Sequence, residues 1–228
     1  MAYGPVLMRS LRYAALSTLL GLLIAYPLAY FLAMRADPKW RTLLLILVIV
    51  PFWTSILIRS YAWIFLLGGQ GLPAVIDWLG FGAVRLINTP FAVLTGIVYG
   101  YLPLMIMPIY VSLEKIDRSY LEAAADLGDS PARRFWRITL PLSLPGVATG
   151  CMLVFILLMG EFLIPAMLGG GKVFFIGNAL VDLFLQSRNW AFGAAVAVTL
   201  VVIMLVTVSL YMWLMRRMGG VRDDVALM

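Results

Sequence analysis

Five long apolar runs, separated by shorter polar segments, organise this chain: about Leu11 to Met34, Thr42 to Gly68, Pro90 to Leu113, Leu142 to Leu168 and Ala191 to Met215. Each reaches the roughly 20 residues a helix needs to cross the hydrocarbon of a bilayer, so the pattern predicts five membrane spans. Pro27, Pro51, Pro103, Pro108 and Pro165 fall within these runs. Proline breaks a soluble helix but is tolerated in a membrane where neighbouring helices re-satisfy the freed backbone, so kinked, protein-packed helices are expected. Gly96 with Gly100, and Gly146 with Gly150, carry the spacing that permits close helix approach. The first run is too long for the core of a signal peptide and is expected to stay in the mature protein.

Composition agrees with the pattern. The chain is 63% apolar and 12% charged, with a mean hydropathy of +1.00, whereas a soluble domain carries about 25% charged residues. It has no histidine and one cysteine, Cys151. That excludes an intramolecular disulfide and a cysteine metal cluster, and it removes the commonest general base and zinc ligand. Metalloenzyme chemistry is therefore not expected, and an intramembrane enzyme lacks both histidine and a paired-carboxylate motif.

The net charge of +6 reports orientation before it reports any nucleic acid. Arg35, Lys39, Arg41, Lys115, Arg118, Arg133, Arg134, Arg137, Arg216, Arg217 and Arg222 lie on one side of the predicted spans; Arg9, Arg12, Arg85, Lys172 and Arg188 lie on the other. The richer side is expected to be cytoplasmic, and it includes the C-terminus. Five spans then put Met1, with Arg9 and Arg12, outside, which is awkward for insertion and leads us to expect a further helix upstream.

The segment 114–141 is the one polar break too long to be a simple connection. Leu121, Ala124, Ala125 and Leu127, with Glu122 and Asp126, suit a short amphipathic helix that Gly128 can end. Asp129 or Ser130 before Pro131 can start a second helix holding Phe135 and Trp136, with Ser130 as N-cap and proline at the first helical position. Two short helices lying against the membrane form a docking knob for a soluble partner; the alternative is a merely solvated loop.

Within this segment Glu122-Ala123-Ala124, three residues, Gly128, nine residues, Ile138, one residue and Leu140-Pro141 match in full the EAA signature that marks permease subunits of bacterial ABC importers. The resemblance implies that Glu122 to Gly128 is the coupling helix seated in a groove of the cytoplasmic ATPase, with Glu122 facing the ATPase or capping the local fold. Ala123 and Ala124 would then allow close approach, and Gly128 would make the turn. Tyr26-Pro27-Leu28-Ala29-Tyr30, Pro51-Phe52-Trp53-Thr54-Ser55, Ile58-Arg59-Ser60-Tyr61-Ala62-Trp63, Gly160-Glu161-Phe162, Leu168-Gly169-Gly170 and Ile176-Gly177-Asn178 resemble the spermidine/putrescine branch of that family.

What the resemblance implies is an all-α, polytopic bundle of kinked transmembrane helices of the type-I importer architecture, one domain over 1–228 with the coupling segment inside it. The branch normally has six spans, one more than is visible here. The implied partners are a second permease subunit, similar but not identical; two ATP-binding subunits that hold ATP and magnesium; an extracytoplasmic solute-binding protein; and the lipid of a bacterial inner membrane. No phosphate-cradling loop occurs in the chain itself, so it needs no cofactor of its own and hydrolysis falls to another chain.

Ionisable groups inside apolar runs are costly and point to function. Glu161, in the fourth run, is placed either to line a path for a cation or to hold an interhelical hydrogen bond. Trp53, Tyr99 and Tyr101 offer ring faces to an organic cation, or pack and anchor. Arg59, beside Tyr61 and Trp63, either snorkels and pairs locally or meets the docked binding protein, as Asp182 does if it is not simply solvated. A secondary transporter or channel is the competing reading, but it needs no ATPase-docking segment and more naturally carries charged relays in its spans.

Overall fold

The computed structural model describes residues 3–218. Among these the secondary structure is entirely helical. Helix α1 (Tyr3–Tyr30) runs on through a wide π-helical turn at Phe31–Arg35; α2 (Pro38–Trp53), α3 (Ile56–Leu67) and α4 (Leu72–Trp78) follow. Helix α5 (Pro90–Glu114) leads into α6 (Arg118–Asp126) and α7 (Pro131–Arg134), and a second π-turn at Phe135–Thr139 fuses α7 to α8 (Leu140–Met159). Helices α9 (Leu163–Leu168), α10 (Ile176–Val181) with its π-turn at Asp182–Gln186, and α11 (Trp190–Met218) complete the chain.

Four of the five expected spans are continuous helices long and apolar enough to cross a bilayer, and two of the expected boundaries are corrected. The second run is broken: α2 and α3 meet at 93°. Thr54 and Ser55 take extended backbone there, and the Thr54 hydroxyl donates to the Pro51 carbonyl at 2.7 Å, which satisfies an acceptor the helix leaves open. The fourth run ends at Met159, and Leu163–Leu168 is a separate short helix beyond a turn at Gly160 and Glu161. Pro27, Pro103, Pro108 and Pro145 stand inside continuous helices.

The core is the three-way packing of α1, α5 and α8. Helix α1 buries a stripe of small residues, Ser10, Ala14, Ser17, Gly21, Ala25 and Ala29, at three- and four-residue spacing. Helix α8 offers a matching row from Ser143 through Gly146 and Gly150 to Val154 and Leu158. Small residues let backbones approach where lipid removes any hydrophobic drive between helices, so close packing carries the association. At Gly146 the approach is tight enough that a β-carbon would meet the Pro108 carbonyl and the Ser112 side chain. Gly146→Leu is accordingly expected to cost more than the roughly 1–3 kcal/mol of ordinary overpacking, because the obstacle includes backbone. A drop in the melting temperature of the detergent-solubilised protein checks it.

Few polar groups lie in the core, and one of them, Ser143, links two elements. The Ser143 hydroxyl donates to the Leu140 carbonyl and receives a hydrogen bond from the Tyr26 hydroxyl at 2.9 Å. Phe135 stands edge-on to Tyr26, Tyr30 and Trp136, so the π-turn is gripped by aromatic rings. Helix α11 is the least covered of the four continuous spans; Val198, Val201, Val202, Leu205 and Val206 are all exposed, as lipid- or partner-facing surface should be. Arg222 lies outside the described residues, as do the side chains of Arg216 and Arg217.

Candidate functional site

The polar break between α5 and α8 folds as two short helices joined by a tight turn. Asp117 caps α6 by accepting from the Ser119 amide at 2.9 Å. That hydrogen bond holds the Asp117 carboxyl below its usual range, so its contribution to the cap is present at neutral pH and is lost as pH falls through the lowered value. At the other end Gly128 takes φ +84°. The Asp129 amide returns to the Ala124 carbonyl and the Gly128 amide to the Ala125 carbonyl, each at 2.9 Å, which is the Schellman closure of a helix. Ser130 then caps α7, with Pro131 in the first helical position.

This corner is braced from within. Arg134 donates to the Leu121 carbonyl at 3.2 Å, and Asp129 receives Arg133 at 3.3 Å and Arg137 at 3.7 Å. What faces outward is Glu122, Ala123, Leu127 (89% exposed), Pro141 and Trp136. Ala124 is buried and Ile138 and Leu140 are half-buried, so within the signature these three hold the corner together while Glu122 and Ala123 present themselves. Two large apolar side chains, Leu127 and Trp136, left exposed in one short segment are unusual for a surface facing only water.

On the opposite face a second polar cluster surrounds Glu161, which is 6% exposed. Its carboxylate sits in the turn after α8, not within a continuous span. Oε1 accepts from the amides of Leu163 at 2.8 Å and Ile164 at 3.1 Å, and Oε2 accepts from the Tyr101 hydroxyl of α5. Every contact is a donor aimed at an acceptor-only group, so the carboxylate serves as the N-terminal cap of α9 and ties it to α5. Asn178 locks the next layer: its amide nitrogen donates to the Phe162 carbonyl at 2.8 Å and its oxygen accepts from the Phe175 amide at 3.1 Å. Gly177 lies so close beneath the Glu161 and Gly160 carbonyls that a β-carbon would come within 2.6 Å. Ser10 of α1 closes the cluster by accepting from the Ile176 amide.

The three aromatic candidates do not form a cage. Tyr101 is engaged by Glu161; Tyr99, two positions away and so on another side of α5, packs edge-on to Trp63 at 5.4 Å; Trp53 is 81% exposed at the α2–α3 break. Arg59 donates to the Gly100 carbonyl at 3.4 Å and lies over the Phe52 ring at 5.8 Å. Pro103 lacks the amide that would bond the Tyr99 carbonyl, so Arg59 donates one residue along from a gap in the helix ladder. Asp182 is half-buried at the start of the last π-turn. Sequence patterns passed over Ser10 and Arg41, one lying between Arg9 and Arg12 ahead of the first apolar run and the other counted only as a loop charge.

Residues 25–220 match the family of binding-protein-dependent transport system inner membrane components. The chain belongs to this family. It is a multi-pass inner-membrane permease subunit of an ABC importer, a non-catalytic pore component whose ATPase is a separate subunit. The spermidine/putrescine transport system permease protein PotB of Haemophilus influenzae is 44% identical over 212 residues, spanning 92% of this chain and 74% of that protein. PotB of Escherichia coli is 46% identical over 205 residues, 89% of this chain and 74% of its own length. Among solved structures, a bacterial alginate ABC transporter superposes with a TM-score of 0.79 at 19% identity, covering 94% of this chain and 78% of that one, a likeness of fold. Family membership requires a partner permease, an ATPase and a binding protein around this subunit.

Proposed function

We propose that this chain forms half of the translocation pathway of a polyamine importer, paired with a similar but non-identical permease, and that two ATPase subunits dock on the corner made by α6, Gly128 and α7. The C-terminus and that corner face the cytoplasm, and the turn holding Glu161 and α9 faces the binding protein. The observation that carries the docking assignment is the exposed set of Glu122, Ala123, Leu127 and Trp136 on a corner that is braced internally. A rigid surface loses little entropy on binding and can transmit a push. Closure of the ATPase dimer moves the corner and, through α5 and α8, shifts the spans between inward-open and outward-open states.

The substrate assignment rests on the 44–46% identity to two PotB proteins. Within the pathway, Trp53 presents an exposed ring face to a cation, Tyr99 presents the part of its ring that Trp63 leaves uncovered, and Asp182 attracts the cation at the entrance, whereas Tyr101, Glu161 and Arg59 are engaged in holding the fold. Reconstitution of the complete transporter in proteoliposomes tests this reading. Uptake of labelled spermidine that needs ATP and binding protein, and that putrescine competes, is the expected result; ATP-driven uptake of another solute with no response to either polyamine would overturn it.

A further inference from the structure

The foot of α5 holds a cluster that neither the signature nor the pathway accounts for. Glu114 is the last residue of α5, where the negative end of the helix dipole disfavours a carboxylate. It is held there by Arg41 of α2, whose Nη1 approaches Glu114 Oε1 at 3.3 Å, and by the Tyr110 hydroxyl, which donates to the same oxygen at 2.7 Å. The other arm of the Arg41 guanidinium donates to the Ala33 carbonyl at 3.1 Å, in the π-turn that ends α1. One side chain therefore joins the end of α1, the start of α2 and the end of α5.

Its position along the chain gives that junction a mechanical meaning. Only Lys115, Ile116 and Asp117 separate Glu114 from α6, and this link is not slack: Ile116 is buried in the core, its amide returns to the Leu113 carbonyl, and Asp117 caps α6 directly. A displacement of α6 must carry Glu114 with it. Helix α2, pulled at its first turn through Arg41, is the helix that leads to the 93° break and to α3. Nothing else at the foot of α5 offers a charged connection to α2 among the described residues.

The geometry points to the Arg41–Glu114 pair as the joint that passes motion of the coupling corner to the broken α2–α3 span, a reading that rests on α6 being the ATPase-docking helix. In this reading both are positioning residues, acting through α6 and α2. A partly exposed ion pair adds little to stability, and its use here is to make two elements move as one.

The test uses the complete transporter in proteoliposomes with its own binding protein, and reads ATPase retention and the stimulation of ATP hydrolysis by loaded binding protein. Arg41→Glu and Glu114→Arg each leave α6 intact, so ATPase subunits should still co-purify while stimulation falls about tenfold, in line with the loss of a charged hydrogen bond. The double exchange, Arg41→Glu with Glu114→Arg, restores the α2–α5 charge pair but not the bond to the Ala33 carbonyl, so it should recover stimulation in part, to several-fold above either single variant. Where a charge reversal fails to accumulate, Glu114→Gln keeps the shape and the Tyr110 contact and should still reduce stimulation several-fold. A double exchange no better than the single ones, or native stimulation in Glu114→Gln, would overturn the joint. So would loss of ATPase from the single variants, which would make these residues docking determinants. Failure of the docking reading itself would show differently, as unchanged ATPase retention when Glu122 or Gly128 is altered.

Discussion

Replacing Gly128 with valine leaves the chain in the membrane but separates it from its ATPase, and uptake falls at least about tenfold. The reason is conformational and local. At φ +84° a β-branched residue is strained by about 1–2 kcal/mol or more, while a β-carbon there meets nothing within 4 Å, so no packing clash competes as an explanation. The strain is relieved by opening the Schellman closure, which swings α6 away from α7 and dissolves the surface formed by Glu122, Leu127 and Trp136. The membrane core of α1, α5 and α8 is remote and unaffected. Asparagine tolerates this backbone region far better, so Gly128→Asn should retain most uptake. Co-purification of the ATPase and spermidine uptake across the glycine, asparagine, alanine and valine series provide the check, and the order expected is the order of tolerance for positive φ.

Glu161→Ala is the second large effect, and it appears first as lost stability. The substitution strands the Leu163 and Ile164 amides and the Tyr101 hydroxyl in a site that is almost closed to solvent. Each buried donor without a partner costs about 1–3 kcal/mol, so a loss of several kcal/mol is expected, enough to unseat α9 from α5. Glu161→Gln keeps one acceptor oxygen and should fall between. Melting of the purified protein separates this from a path-lining role: a path residue would cut cation uptake in the Gln variant while leaving the melting temperature unchanged, whereas a cap lowers both together.

The number and place of the apolar runs were legible in the sequence because bilayer thickness imposes a length that hydropathy alone can detect. The corner at Glu122 to Pro141 was legible too, because Gly128, Ser130 and Pro131 are strong local signals for ending and starting helices; Asp117, which caps α6, was not singled out. The break at Thr54–Ser55 was not, since two small hydroxyl residues do not interrupt the apolar run from Thr42 to Gly68 and the direction of a helix leaves no trace in hydropathy. Glu161 was visible as an expensive charge, but its partners are a tyrosine 60 residues back on α5 and the amides that open α9, and neither that helix pairing nor the early end of α8 shows in the apolar pattern. Arg41 was read as one more cytoplasmic charge. Its contacts lie 8 residues back and 73 residues ahead, and only the packing of α1, α2 and α5 brings them together.

The claim on which the account turns is that the α6–α7 corner meets the ATPase from the cytoplasm. Cys151 is the chain's one cysteine and is half-buried, so a Cys151→Ala background accepts single probes. A photoactivatable cross-linker attached at Leu127→Cys should join this chain to the ATPase in the assembled transporter, while the same probe at Leu185→Cys, exposed beyond α10, should not. Cross-linking of the ATPase from position 185, or its absence from position 127 in a complex that still hydrolyses ATP, would contradict the account.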